Sequence, residues 1–133
     1  MSSDVRKDLN RLATALRRFH LALLEHTKSD YERQFGKIDG PFTLFNLVIG
    51  DPHFQWLRPL SGLMATLDEV IDSKTELGEA NIRDVERALA ELFSPLDPRF
   101  EEFRRFYGRY RLEADVQRTE AAWRAVLVGM QAP

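Results

Sequence analysis

The first 35 residues carry apolar side chains at a spacing of alternately four and three positions. Because an α-helix has about 3.6 residues per turn, this spacing places them on a single stripe of one helix. Gly36 follows, and glycine is favoured just past a helix end. The pattern therefore predicts a helix from about Val5 to Phe35 with one buried face, formed by Val5, Leu9, Leu12, Leu16, Phe19 and Leu23.

Residues 41–50 depart from this pattern because they are apolar on nearly every side. Pro41 suits the first position of a helix, where its missing N–H has no partner to lose. Between Phe42 and Ile49 the polar side chains are Thr43 and Asn46. We expect a short helix here, which must be covered on most sides by other apolar groups.

A third helix is predicted from Pro52 to about Ile71, where two apolar stripes run side by side. A face this wide is typical of a central helix with neighbours on two sides. Pro59 lies inside the pattern, and proline removes a backbone hydrogen bond and crowds the carbonyl four residues before it. The sequence therefore predicts a third helix that is kinked or restarted at Pro59, with the kink between Gln55 and Arg58.

The phrase Asp-Pro-x-Phe occurs twice, at residues 51–54 and 97–100. Asp accepts hydrogen bonds from the free N–H groups of a first turn, and Pro fits the first helical position, so both copies predict helix starts. The likeness fades after one turn, which argues against an internal repeat. With a fourth helix over residues 82–93, and one bent helix or two over 98–130, the predicted fold is all-α: a single-domain bundle of five or six helices over residues 1–133.

Composition narrows the function classes. The 133-residue chain is 44% hydrophobic and 30% charged, as is ordinary for a globular protein, and a net charge of −2 does not favour nucleic-acid binding. It has no cysteine, which excludes disulfides and cysteine-based metal sites. No stretch approaches the ~18 apolar residues of a transmembrane helix. We therefore expect a cytoplasmic protein that does not enter membranes and carries no cofactor.

The candidate chemistry starts from three histidines. His20 and His26 are six positions apart, which places them on different faces of a helix, so they cannot share a metal as an i, i+4 pair does. A Glu-x-x-His pattern, as in di-iron bundles, is missing from the sequence. The spacing favours structural roles for all three histidines. Accordingly, no catalytic residue and no metal site is predicted.

His53 belongs to the one candidate ligand site. It occupies the second position of a predicted helix, where the helix dipole disfavours the imidazolium form. A neutral His53 is suited to donate to or accept from a small ligand near the Pro59 kink. The residues predicted to bind such a ligand are Asp51, His53, Trp56 and Arg58.

The last section of the chain is rich in aromatic residues with arginines beside them. These side chains belong mainly to a core, but not all of them can face the same neighbour. Aromatic and arginine side chains are enriched at protein interfaces. We therefore predict an interface that includes Phe103, Phe106 and Tyr110.

The central run DPHFQWLRPLS, at residues 51–61, resembles a family of small, all-helical bacterial proteins with no established activity. Tyr31, Glu32 and Gly36 also match that family, whereas residues 113–116 lack the proline expected at a further helix start. The resemblance implies an all-helical fold and a bacterial origin. It implies no functional residue.

These observations favour a non-enzymatic helical protein that interacts with or regulates other proteins, with self-association into a homodimer as one form of contact. The sequence offers many large apolar residues for a short chain and no recognisable catalytic set. The alternative is a helical bundle that binds a small molecule or a metal, an enzyme included, with its pocket near the Pro59 kink.

Overall fold

The computed structural model describes the backbone of residues 2–131 and the side chains of residues 4–130. The predicted all-α class is confirmed, since this part of the chain forms seven α-helices and one short 3₁₀ turn, with no strand. Residues 1, 132 and 133 of the predicted domain lie outside the described residues. The helices are α1 Ser2–Phe35, α2 Pro41–Gly50, α3 Pro52–Gln55, α4 Arg58–Asp72, α5 Glu79–Phe93, α6 Glu101–Tyr110 and α7 Ala114–Gln131.

The long helix α1 is the centre of the fold. Its 34 residues span about 51 Å, and α7 and α4 pack most extensively against it. The stripe predicted from the spacing is the buried face, because Leu9, Leu12, Leu16, Phe19 and Leu23 are all fully buried. Burying five large side chains on one helix gives α1 its stability, which its own helical propensity does not supply.

Aromatic side chains from four helices close the core around Phe19. The rings of Phe93 and Trp123 lie 6.3 and 5.9 Å from the Phe19 ring, centroid to centroid, and Tyr107 lies 6.2 Å away. On the other side of Phe93, Phe103 packs edge-on at 5.5 Å. These contacts join α1, α5, α6 and α7 into one core.

The predicted third helix is two separate helices and not one helix kinked at Pro59, so of the kink and the restart that the sequence allowed, the structure has the restart. The helix α3 ends at Gln55, and α4 begins at Arg58 with Pro59 in its first turn. In that position the absent N–H of proline has no intrahelical partner to lose, so a clean restart leaves fewer unsatisfied groups than a kink. This break, together with a separate α6 and α7, raises the helix count from the predicted five or six to seven.

The section over residues 98–130, for which the sequence left one bent helix or two open, contains two helices. The helix α6 ends at Tyr110, where the Glu113 N–H donates to the Tyr110 carbonyl at 2.9 Å and closes a turn. Beyond this turn, Val116 and Trp123 of α7 are buried against the core. The turn lets α7 run back along α1.

Candidate functional site

The helix α2 lies on the surface with half of its apolar side chains in solvent and the other half, Leu44, Leu47 and Val48, partly buried. The sequence predicted that this segment would be covered on most sides, but no residue of α2 is buried. Phe42 is 84% exposed, Phe45 61% and Ile49 48%. We call these three residues the α2 surface.

The size of the α2 surface sets it apart from a scattered exposed leucine. With about 200 Å² per phenylalanine, the two rings expose roughly 300 Å², and Ile49 brings the total to roughly 400 Å². The helix also carries no charged side chain between Pro41 and Gly50. A monomeric protein rarely exposes a continuous apolar patch larger than a few hundred Å² without a function for it.

The two ends of α2 are firmly held. At its start, the Ile38 N–H donates to Glu32 Oε2 at 2.8 Å and the Ile38 side chain is buried, while Gly36 and Gly40 supply the positive φ angles of 97° and 154° that the turn into α2 needs. At its end, Arg58 Nη2 donates to the Ile49 carbonyl at 2.7 Å. The middle of α2 is therefore presented to solvent by a fixed frame.

The structure brings the four predicted ligand residues together in one segment, but each makes a contact within the fold. Asp51 Oδ1 accepts the His53 backbone N–H at 2.8 Å and lies 2.9 Å from His53 Nδ1, so it caps α3 as predicted. Arg58 satisfies a terminal carbonyl of α2. Trp56 is buried in the core beside Phe106 and Tyr110. The segment packs α3 against α2 and links the end of α2 to the start of α4 through Arg58.

A cleft does open at Pro59, but on another side of α4. It lies between α4 and α5, has a volume of about 320 Å³, and none of the four predicted ligand residues lines it. Its lining is Pro59, Gly62, Leu63, Thr66, Leu67, Val70, Asn81, Asp84, Val85, Ala88, Glu91, Leu92 and Phe100. We call this feature the α4–α5 cleft.

The α4–α5 cleft is apolar inside and acidic at its rim. Along α4 it extends from Pro59 to Val70, which is about 16 Å of helix. Two carboxylates of α5 line it. Glu91 is held by Arg99, whose Nη2 lies 3.0 Å from Glu91 Oε2, and Asp84 is exposed. Sequence reasoning missed this cleft because the residues that leave it open are small ones on two separate helices.

The three predicted interface aromatics lie mostly in the core. Phe103 is 1% exposed and Tyr110 is also buried, because α6 turns both side chains toward α1 and Trp56. Phe106 is half-buried, and the guanidinium of Arg109 lies 4.7 Å from the centre of its ring. Phe103 and Tyr110 therefore offer no surface to a partner of the folded chain, and Phe106 offers a small one.

Each histidine has a polar neighbour in the fold. His20 Nε2 lies 3.0 Å from Ser61 Oγ, and burial lowers the pKa of His20 below its ordinary value of 6.5. His26 Nε2 lies 2.8 Å from Asp115 Oδ1, and this contact lowers the pKa of the Asp115 carboxyl. The His26–Asp115 pair joins residues 89 positions apart, so no local sequence signal could have indicated it.

Comparison of the chain with known protein families, curated proteins and solved structures finds no match. Within the described part of the chain, no three histidine or carboxylate side chains gather in a way that could hold a metal ion. Between residues 2 and 131, no helix combines the length and apolar character that crossing a bilayer requires.

Proposed function

We propose that this protein works through protein–protein contacts made by the α2 surface, that it self-associates as a homodimer, and that it is not an enzyme. The observation that carries the proposal is the exposure of Phe42, Phe45 and Ile49 on a helix without charges. The expected setting is the cytoplasm of a bacterium, with a regulatory role and no nucleic-acid partner.

The free energy at stake supports a contact. At about 25 cal/mol per Å², roughly 400 Å² of apolar surface corresponds to about 10 kcal/mol of burial that the isolated chain does not recover. Association itself costs about 4–15 kcal/mol, so this burial is of the size needed to offset that cost. An apolar helix left in solvent at this scale favours a partner that covers it.

The lack of charge on α2 supports self-association in particular. A symmetric contact places the same surface, or the same two surfaces, on both partners, and a charge near the two-fold axis meets its own copy. The α2 surface avoids this repulsion because no Asp, Glu, Lys, Arg or His lies between Pro41 and Gly50. Two copies can therefore approach through α2 without burying an unpaired charge.

Sedimentation velocity across a wide range of protein concentrations tests the proposal. We expect the wild-type chain to shift from monomer to dimer as its concentration rises, and Phe45→Glu to stay monomeric because dimerisation would bury a charge. The matched control is Leu112→Glu, which places the same charge at a 73% exposed leucine between α6 and α7. A wild-type chain that is monomeric at millimolar concentration would overturn the homodimer.

The alternative function, binding of a small molecule near Pro59, is favoured by one observation. The α4–α5 cleft begins at Pro59, and its 320 Å³ lies at the lower end of the range for ligand pockets. Native mass spectrometry of the protein purified from its host tests this alternative. A retained small molecule, lost from an Ala88→Trp variant that fills the cleft, would support it over the homodimer.

A further inference from the structure

We infer that the α2 surface of one copy docks into the α4–α5 cleft of a second copy, and that the second copy returns the same contact. This inference rests on the proposed function, since it names the partner site of α2. The structure leaves two apolar features uncovered in one chain, a projecting helix and a cleft. The cleft fits the helix in spacing, volume, area and charge.

The spacing fits a helix laid over a groove. Phe42, Phe45 and Ile49 stand at positions i, i+3 and i+7, which is the anchor pattern of an amphipathic helix in an apolar groove. These three anchors span about 10 Å along α2, and the cleft runs for about 16 Å along α4. The whole row can therefore enter one cleft.

The volume fits the two phenylalanine rings. An apolar cavity of about 150 Å³ accommodates one benzene ring, so 320 Å³ accommodates about two. The room comes from small residues on facing helices, Gly62 on α4 and Ala88 on α5. A Cβ atom built on Gly62 would meet no other atom within 4 Å.

The buried area separates this arrangement from a simple pairing of α2 with α2. If two α2 surfaces met each other, about 800 Å² would be buried in total, which is the size of a crystal-packing contact. In the reciprocal arrangement each copy contributes its α2 surface and also the smaller lining of its cleft, so about 1,000 Å² is buried in total, which is the lower limit for a specific interface.

The docked arrangement buries few charges. No Asp, Glu, Lys, Arg or His lies between Pro41 and Gly50, so the three anchors bring no charged side chain into the cleft. Of the two carboxylates that line the cleft, Glu91 is already paired with Arg99 at 3.0 Å, and Asp84 is exposed. The Asp39 carboxylate accepts from Thr43 Oγ1 at 2.8 Å and lies before the first anchor.

Crosslinking between single cysteines tests the inference directly, because the natural chain has no cysteine. Phe45→Cys is mixed with an Ala88→Cys chain carrying an affinity tag, and the mixture is oxidised. We expect a disulfide that joins the tagged chain to the untagged one. The matched control replaces Ala88→Cys with Leu112→Cys, which should give no such product.

The other outcomes separate the two proposals. A Phe45→Cys chain that crosslinks to itself and not to Ala88→Cys would overturn docking in the cleft while leaving the homodimer standing. No crosslink in any mixture, with a monomeric wild-type chain, would overturn both. A wild-type dimer in which Ala88→Trp dimerises as tightly as the natural chain would also overturn docking in the cleft.

A complementation experiment provides a second test that does not depend on oxidation. Phe45→Glu keeps its cleft and Ala88→Trp keeps its α2 surface, and each alone should be monomeric. Mixed together, they can form one of the two reciprocal contacts, so we expect a heterodimer weaker than the wild-type dimer. Circular dichroism confirms that both variants fold, and failure of two folded variants to associate would contradict the reciprocal arrangement.

Discussion

The placement of Phe103 in the core leads to a prediction that separates core from interface. Phe103 is 1% exposed, and its ring lies 5.6 Å from that of Trp56, 5.5 Å from Phe93 and 6.2 Å from Tyr107. Replacing it with alanine removes a ring that touches Phe93 of α5 and Trp56 in the turn between α3 and α4. The resulting cavity cannot collapse easily, because rigid aromatic groups surround it on several sides.

The expected loss follows from this burial. Phe→Ala substitutions in a core cost about 3–5 kcal/mol, and the aromatic neighbours of Phe103 place it in the upper half of that range. For a domain of this size such a loss lowers the melting temperature by about 10–20 °C. Phe106→Ala should cost only about 1–2 kcal/mol, because half of that ring is already in contact with water and arginine. Phe42→Ala should change monomer stability by less than about 0.5 kcal/mol, since its ring is in solvent.

Urea unfolding of the three variants, followed by circular dichroism, measures these differences. The protein concentration must be low enough to keep the chain monomeric, because dimerisation would add to the apparent stability. The core position of Phe103 would be refuted if Phe103→Ala unfolded within about 1 kcal/mol of the natural chain and Phe42→Ala proved the more damaging of the two. That result would mean that α6, and not α2, faces away from the core.

Three further predictions follow from individual contacts. Because burial lowers the pKa of His20, the folded state binds the His20 proton less tightly than the unfolded state does. The free energy of unfolding should therefore be highest above pH 6.5 and fall below it. In urea unfolding between about pH 5 and 7, His20→Gln should reduce this fall. Asp51→Ala removes the cap of α3 and should cost about 0.5–2 kcal/mol in the same assay, whereas Asp51→Asn should retain most of it. The hydrogen bond to His26 lowers the pKa of Asp115 in the fold, so the ionised carboxylate stabilises the folded state at neutral pH and this stabilisation is lost as the pH falls below about 4. Asp115→Asn should therefore have a lower free energy of unfolding than the natural chain at about pH 6 and the same free energy near pH 2.

The long amphipathic helices could be predicted from the sequence because their apolar residues recur at a helical spacing and so mark one buried side. The α1 stripe is buried as expected from Leu9 to Leu23, with Val5 at its start only partly buried, and Ile82, Val85, Leu89 and Leu92 of α5 are buried too. In both helices one side is apolar and the other charged, so local pattern and tertiary packing agree. Where they agree, a single sequence suffices to fix the element and its buried face.

Helix breaks were harder to predict because they depend on which hydrogen-bond partners the backbone N–H and C=O groups find at a particular residue. A proline inside an apolar pattern is compatible with a kink or with a restart, and the sequence indicated only that one of them lies near Pro59. The structure shows a restart at Arg58. Leu57 precedes the new helix, and its carbonyl accepts the Ser61 N–H at 3.0 Å. A kink and a restart differ by one or two backbone hydrogen bonds, and the spacing of apolar residues does not indicate which of these bonds form.

The aromatic section shows why an interface is hard to distinguish from a core in one sequence. Phe103, Phe106 and Tyr110 share a helix, and the hydropathy of their side chains is similar. Their surroundings differ because α1 and Trp56 cover two of them and arginines cover the third. The same chemistry serves both purposes, so only the placement of neighbouring helices decides which ring is buried.

The helix α2 shows what an apolar segment does and does not specify. Its sequence requires that Phe42, Phe45 and Ile49 be removed from water, and that requirement was evident from composition alone. It contains nothing that says whether the cover comes from the same chain or from another. Within the described residues, the apolar cleft of matching length lies between α4 and α5 and is lined by no residue of α2, whose two ends are held elsewhere by Arg58 and by the buried Ile38. Since the chain cannot bring its own helix to its own cleft without giving up those anchors, a second copy is the nearest source of a cover that satisfies both.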